Sequence, residues 1–291
     1  MTLRPAHALI VERYIEAWAT ADPDRIATLW ADDYEARYPQ SGELVRGAEA
    51  GRRMMAAFPN PPRLVVGPFV NSCDDDLAIF EALLDYGGER WWLLSQLDLH
   101  DEKIHRETAF FAAPFDPAPW REALTERFDP LDPTEWAESG DGVGVDRAAI
   151  DRYAQAVVRV DLPALRAFHH RDYRGSYPQS GERYDDDGLA AIYRDYPGGS
   201  PAEQVSGLVG PSERWVVSGA NTPVRVFGSG DTWFSQGVVT YPNGERWIEL
   251  VVCLVRDGRI WRERAYFSQS LRVPEWRRGL VELTDPVLGS V

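Results

Sequence analysis

The residues best suited to proton transfer are glutamates on alternating, apolar-rich segments. Glu107 lies in His105–Phe111 and Glu263 in Trp261–Phe267. Period-2 alternation puts His105, Glu107, Ala109 and Phe111 on one face, and Trp261, Glu263, Ala265 and Phe267 on its counterpart. A carboxyl group buried among apolar side chains is pushed toward its neutral form, and a glutamate so placed can serve as general acid or base, worth roughly 10²–10⁴ in rate. The competing reading is an ion pair with Arg106 or Arg262 alongside, or with Arg90 or Arg246 across the sheet. Glu81 with Glu107, and Glu249 with Glu263, make two acid pairs able to divide acid and base roles or to orient a water for epoxide opening. The bland alternative for both is solvated acids on edge strands. His105, on the face of Glu107, is a further general-base candidate.

Other chemistries lack their usual signals. The sequence has no Gly-x-Ser-x-Gly elbow, phosphate loop or Cys-x-x-Cys pair, and Cys73 and Cys253 form no disulfide framework. Lys103 is the only lysine and sits in the turn Asp101–Lys103, so a buried Schiff-base lysine has no candidate. His169, His170 and Asp172 resemble a metal set only superficially, because the histidines are adjacent and no third lies near; no metal and no cofactor is expected. A net charge of −15 should repel phosphate backbones and anionic membranes, which argues against nucleic acid as a partner. No apolar run approaches the roughly 20 residues of a membrane span. With no leader-like start and no disulfide pattern, the expected location is a reducing cytoplasm.

These residues recur because the 291-residue chain is doubled. Val11–Glu43 aligns on Ile150–Glu182 without a gap, with 12 identities in 33 pairs, and Tyr-Pro-Gln-Ser-Gly-Glu stands unchanged at 38–43 and 177–182. Gly88–Arg121 aligns on Gly244–Arg277 with 13 identities in 34 pairs. A longer middle, Ser212–Thr232, distinguishes the second copy. The copies also differ where chemistry would occur: Glu81 faces Gln236, and Glu249 faces Leu93. The expected division is domain 1 over 1–128, a Pro-, Gly- and acid-rich linker over 129–146, and domain 2 over 147–291.

Each copy reads as helices first and strands after. Ile10, Val11, Tyr14, Ile15 and Trp18 form a 3.6-residue stripe matched by Ile150, Tyr153, Ala154, Val157 and Val158. Asp22-Pro23 opens a second helix, Tyr34–Tyr38 alternates as a strand, and a third helix spans Ala48–Ala57, with its partner near Asp186–Asp195. Strands are expected at Arg63–Val70, Leu77–Tyr86, Glu89–Leu99 and Ile104–Ala112. Those of the second copy are Trp215–Ser218, Pro223–Phe227, Thr232–Tyr241, Arg246–Arg256 and Arg259–Ser268. The class is α+β.

Ala31-Asp-Asp-Tyr34 with the hexapeptide, and the ending Asp257-Gly-Arg-Ile-x-Arg-Glu-x-x-Tyr-Phe267, resemble the SnoaL-like branch of the nuclear-transport-factor-2-like (NTF2-like) superfamily over nearly the whole chain. The resemblance implies two tandem cones, each a curved antiparallel sheet with helices on its concave side, joined as an intrachain pseudo-dimer; the fusion can replace dimerisation or carry a further homodimer built upon it. The ketosteroid isomerase pattern puts its helix-one tyrosine on Tyr14 and Tyr153, its base on Tyr38 and Tyr177, and its oxyanion aspartate near Ser95 and Val251; only the first matches. The cyclase aspartate falls on Ala109 and Ala265, leaving Glu107 and Glu263 as the nearest acids.

The function expected is cofactor-independent acid–base catalysis on a small, largely apolar molecule: cyclisation, isomerisation, dehydration or epoxide opening, of a kind met in secondary metabolism. The rival is a non-catalytic binding or interaction module. Candidate catalytic residues are Glu107, Glu81, His105, Glu263, Glu249 and Tyr177. Candidate substrate contacts are Tyr14, Tyr38, Gln40, Phe111, Tyr153, Gln179, Gln236, Trp261 and Phe267. For Gln40 and Gln179 the competing reading is a turn built on the hexapeptide's Pro and Gly.

Overall fold

A computed structural model of the chain describes residues 3–136, 138–197, 225–241 and 244–289. The expected strand Trp215–Ser218 and most of the longer middle lie outside the described residues. The chain divides into two compact units: Thr2–Ala113 with Ser270–Val291, and Pro114–Gln269, here the first and second modules.

In the first module the elements are α1 (Pro5–Ala19), α2 (Pro23–Ala27), β1 (Trp30–Tyr38), β2 (Glu43–Arg46), α3 (Ala48–Ala56), β3 (Arg63–Ser72), β4 (Leu77–Asp85), β5 (Arg90–His100) and β6 (Lys103–Ala112). Asp22 caps α2, accepting from Asp24 and Arg25 N–H, with Pro23 at the first helical position. The strands order as β2-β1-β6-β5-β4-β3, with the tail strand Glu282–Leu283 beyond β2. The second module repeats the plan. It comprises β7 (Glu126–Arg127), α4 (Arg147–Arg159), α5 (Leu162–Phe168), β8 (His169–Tyr177), β9 (Glu182–Tyr184), α6 (Asp186–Arg194), β10 (Arg225–Ser229), β11 (Thr232–Thr240), β12 (Arg246–Arg256) and β13 (Arg259–Ser268), in sheet order β10-β11-β12-β13-β8-β9-β7. The chain is α+β, and each sheet is antiparallel apart from one parallel pair, β1 with β6 and β8 with β13.

The helices cover one face of each sheet. Tyr14 and Val11 of α1 share a buried core with Phe80, Ala82 and Leu93, while Tyr153 and Ile150 of α4 share one with Trp233 and Cys253. No helix among the described residues is long and apolar enough to cross a membrane.

The modules trade tails, and this moves the expected boundaries. The segment after the second repeat belongs to the first module, where Leu271, Thr284 and Val287 donate backbone N–H groups to the carbonyls of Gln40, Gly42 and Pro39. The segment after the first repeat does the same in the second module: Phe115 and Phe128 donate to the carbonyls of Gln179 and Gly181. The reason is hydrogen-bond accounting, because the turn after β1 or β8 presents carbonyls that the module's own sheet leaves unpaired. Gly42 also lacks room for a side chain, since a Cβ would lie 2.2 Å from the Thr284 carbonyl. The expected linker, too, is packed: Val145 bridges to Gly230, and Asp141 accepts the N–H of Asp257 at 2.9 Å.

Candidate active site

Each sheet cups a cavity that carries a glutamate on its wall. In the first module Glu107 is buried and receives three hydroxyls: Tyr14 at 2.6 Å and Tyr34 at 2.9 Å donate to Oε2, and Ser95 at 2.6 Å donates to Oε1. α1, β1 and β5 supply one donor each. Burial, then the charge of Glu107, pushes Tyr14 and Tyr34 well above the ordinary tyrosine range, so both remain protonated donors. The ion-pair reading of Glu107 does not hold, because Arg106 points to the other face, with Nε 3.9 Å from Glu35.

The second module keeps the plan and changes the donors. Tyr153 Oη donates to Glu263 Oε1 and Tyr173 Oη to Oε2, each at 2.5 Å, while the Cys253 thiol lies 3.6 Å from Oε1. Burial, followed by the charge of Glu263, pushes the Cys253 thiol up, away from the thiolate a nucleophile requires. Behind Tyr153, His169 Nε2 lies 3.1 Å from the phenol oxygen and His169 Nδ1 lies 2.5 Å from Asp186.

The decisive difference is Glu249 on β12. It faces the cavity beside Tyr177, Tyr193, Tyr241 and Glu263, and no hydrogen-bond donor meets its carboxyl among the described residues. The residue is half-buried on the cavity wall. Burial and then the charge of Glu263 push its pKa up to about 7. An acid that gains and loses a proton near neutrality, beside a second carboxyl, is the arrangement that separates acid and base roles. This cavity measures about 130 Å³, and among the described residues neither arginine nor lysine lines it. The first module's cavity is about 390 Å³, with Leu93 where the second has Glu249.

The raised pKa links fold to pH. The neutral carboxyl of Glu249 is favoured in the folded chain, so its stabilising effect is fully present below the unfolded value of about 4.3 and is lost as pH rises through about 7. Urea unfolding followed from pH 5 to 8 should show this fall, and Glu249→Gln should flatten that part of the profile.

The other expected residues separate cleanly. Tyr38 and Phe111 line the first cavity, and Tyr153, Tyr177 and Phe267 the second; Tyr14 stands behind Glu107. Burial pushes Tyr177 up to about 12. His105 and Trp261 do not face the cavities. A β-bulge shifts the register opposite Asp98 and Leu99 in β6, and opposite Leu254 and Val255 in β13, so His105 and Trp261 are themselves the inserted residues and strict alternation fails two residues before the glutamates. His105 instead meets Asp33 at 3.0 Å, and Trp261 stacks between the guanidinium groups of Arg256 and Arg262. Glu81 and Gln236 lie on the opposite sheet face, since Phe80, Ala82 and Leu84 take the inner one on β4, as do Ser235 and Gly237 on β11. Glu81 accepts from Asn71 at 2.7 Å, and Gln236 from Arg225 at 3.2 Å.

Gln40 and Gln179 are structural as well. Each side-chain amide pairs both ways with one backbone unit: Gln40 with Phe111 at 2.9 and 2.6 Å, Gln179 with Phe267 at 3.0 and 2.6 Å. Replacing either by Ala should cost about 1–3 kcal/mol per module, read by chemical denaturation, because a backbone N–H and C=O lose their partner. Tyr34, Tyr173, Ser95, His169 and Asp186 were missed. Tyr34 and Tyr173 share a strand face with Tyr38 and Tyr177, and Ser95 stands where the isomerase pattern puts its oxyanion group, which are usable signals; nothing in the sequence pairs His169 with Asp186.

Residues 11–107 match the family model of the SnoaL-like domain. This stretch, within the first module, is similar to the SnoaL-like domain. No curated protein matches the chain. Among solved structures, an NTF2-like protein of unknown function from Burkholderia xenovorans LB400 is 24% identical, covers 42% of this chain and 95% of its own, and has a TM-score of 0.40. A putative ketosteroid isomerase from Kribbella flavida is 25% identical over 42% of this chain and 90% of its own, with a TM-score of 0.39. An LEH-like epoxide hydrolase from M. tuberculosis is 17% identical over 36% of this chain and 82% of its own, with a TM-score of 0.32.

Proposed function

We propose that the second module is a cofactor-independent acid–base catalyst for a small, largely apolar molecule, with Glu249 as the group that gives and takes the proton. The supporting observation is a carboxyl that meets no hydrogen-bond donor among the described residues and faces an aromatic cavity beside Glu263, where burial and the neighbouring charge push its pKa up to about 7. Glu263, held by Tyr153 and Tyr173, is the fixed partner that keeps the Glu249 proton in place and faces charge developing on the substrate. Tyr177 and Phe267 supply walls. The reactions this suits move a proton on a carbon skeleton or open a strained ring: cyclisation, isomerisation, dehydration or epoxide opening.

The first module is read as a binding chamber. Leu93 replaces the proton carrier, and both oxygens of Glu107 already accept hydroxyls. A panel of apolar epoxides, β,γ-unsaturated cyclic ketones and β-hydroxy ketones, assayed by chromatography with mass detection, tests the proposal. Turnover by the native chain and its loss in Glu249→Gln supports catalysis. Uptake of these compounds without turnover of any class leaves a binding protein.

A further inference from the structure

The copies differ behind the glutamate as well as beside it. In the first module Trp30 stacks on Tyr34, with ring centroids 4.3 Å apart, and α3 opens with Ala48. In the second, His169 takes the place of Trp30, stacking on Tyr173 at 3.6 Å and 4°, and α6 opens with Asp186. A platform made of carbon with one indole N–H has become a ring with two titratable nitrogens, and a carboxylate has been placed against one of them.

The resulting chain is continuous. Glu263 Oε1, Tyr153 Oη, His169 Nε2 and Nδ1, and Asp186 Oδ1 follow one another at 2.5, 3.1 and 2.5 Å. The His169 side chain is fully enclosed, whereas Asp186 is 30% exposed, so the chain runs from the cavity wall to solvent. Around it stand Tyr173 on its own strand, Tyr153 from α4, Asp186 from α6, and Arg259 of β13, whose guanidinium donates to the backbone carbonyls of Ala167 and His169. At the far end Tyr173, Cys253, Glu249, Tyr184 and Tyr193 are ionisable neighbours of Glu263.

We propose that His169 and Asp186 are positioning residues that form a proton reservoir for Glu263, working through Tyr153. The same heavy-atom frame accommodates two protonation patterns. In one, His169 donates Nδ1–H to Asp186 and Nε2–H to the Tyr153 oxygen, while Tyr153 donates its O–H to an ionised Glu263. In the other, the Tyr153 proton has moved to Oε1 and the Nε2 proton has moved to the phenol oxygen. Histidine is then neutral, Glu263 donates to Tyr153, and Tyr153 donates to Nε2. Two protons shift, no bond to carbon changes, and Nδ1–H stays on Asp186 throughout. Tyr153 never ionises, which agrees with burial and Glu263 pushing its pKa well above the ordinary range. The reservoir thus replenishes or empties Glu263 without opening the cavity to water.

This inference rests on the reading of Glu263 as partner to Glu249, and its test avoids turnover. Nitrogen-15 spectra of labelled histidine and carbon-13 spectra of labelled glutamate, taken on the full chain across pH, follow His169 Nε2 and the Glu263 carboxyl together. The expected result is one shared transition in which the two exchange a proton. In Asp186→Asn, with the fold verified by circular dichroism, that transition should split into two independent ones, and Asp186→Glu should restore it. Independent titration of the two groups in the native chain, or an unchanged transition in Asp186→Asn, overturns the reservoir. If an activity is found, His169→Gln should lower kcat about tenfold or more at nearly constant KM, with Asp186→Glu milder than Asp186→Asn. A loss confined to stability would mark a structural pair, and a lost activity in Glu249→Gln with separate titrations would leave the catalyst standing without its reservoir.

Discussion

Glu249→Gln should lower turnover by about 10²–10⁴-fold while leaving the fold and ligand uptake intact. The amide keeps the shape of the side chain and cannot carry the proton. Because nothing among the described residues hydrogen-bonds to Glu249, none of them loses a structural partner. Relief of repulsion from Glu263 should make the variant as stable as the native chain at pH 8, or more so. A variant that folds, binds and turns over at the native rate would remove Glu249 from the chemistry. The matching change in the first module, Glu107→Gln, carries a different expectation: it disturbs three hydroxyl donors at once and should be read first as a loss of stability.

The second large effect lies in the exchanged tail. Arg121 Nε and Nη2 meet Glu182 at 2.8 and 2.7 Å; the glutamate side chain is fully enclosed and the arginine nearly so. Burial pushes Glu182 up, but hydrogen bonds from Arg121 and Ser180 and the guanidinium's charge hold it below the usual carboxylate range. Arg121→Ala strands that carboxylate and should destabilise the second module by about 3–5 kcal/mol, measured by urea unfolding at pH 7. Since the folded pKa is depressed, the pair stabilises above the unfolded value and its contribution fades as pH falls through the folded one, so native and variant curves should converge in acid. A cost under about 1 kcal/mol would mean that the tail is held by its backbone bonds alone.

How much of this was legible in the sequence depends on which physical rule was sampled. Duplication, the α+β order and the paired glutamates were all visible, because helix stripes and strand alternation record burial directly. The tail exchange was hidden by the duplication itself. Trp120-Arg121 and Trp276-Arg277 are identical pairs, and the turns they reach, 38–43 and 177–182, are identical too, so local chemistry fits either partner equally. Arg121 serves Glu182 and Arg277 serves Glu43, each across the repeat boundary. His105 and Trp261 were misplaced because one inserted residue reverses every face beyond it, and a bulge leaves no mark in hydrophobic periodicity. Gln40 and Gln179 looked like pocket groups because a polar side chain that completes a backbone ladder has the same composition as one that greets a ligand. The pairing of His169 with Asp186 leaves no mark in the sequence, since 17 residues separate them and only the fold brings them together.

Carbon-13 titration of the Glu249 carboxyl, assigned by its disappearance in Glu249→Gln, addresses the central claim without requiring a substrate. A midpoint near 7 is the predicted result. A midpoint in the range of solvent-exposed glutamates, about 4.3, would show a hydrated carboxylate with no proton to offer at neutral pH, and would contradict the catalytic reading of the second cavity.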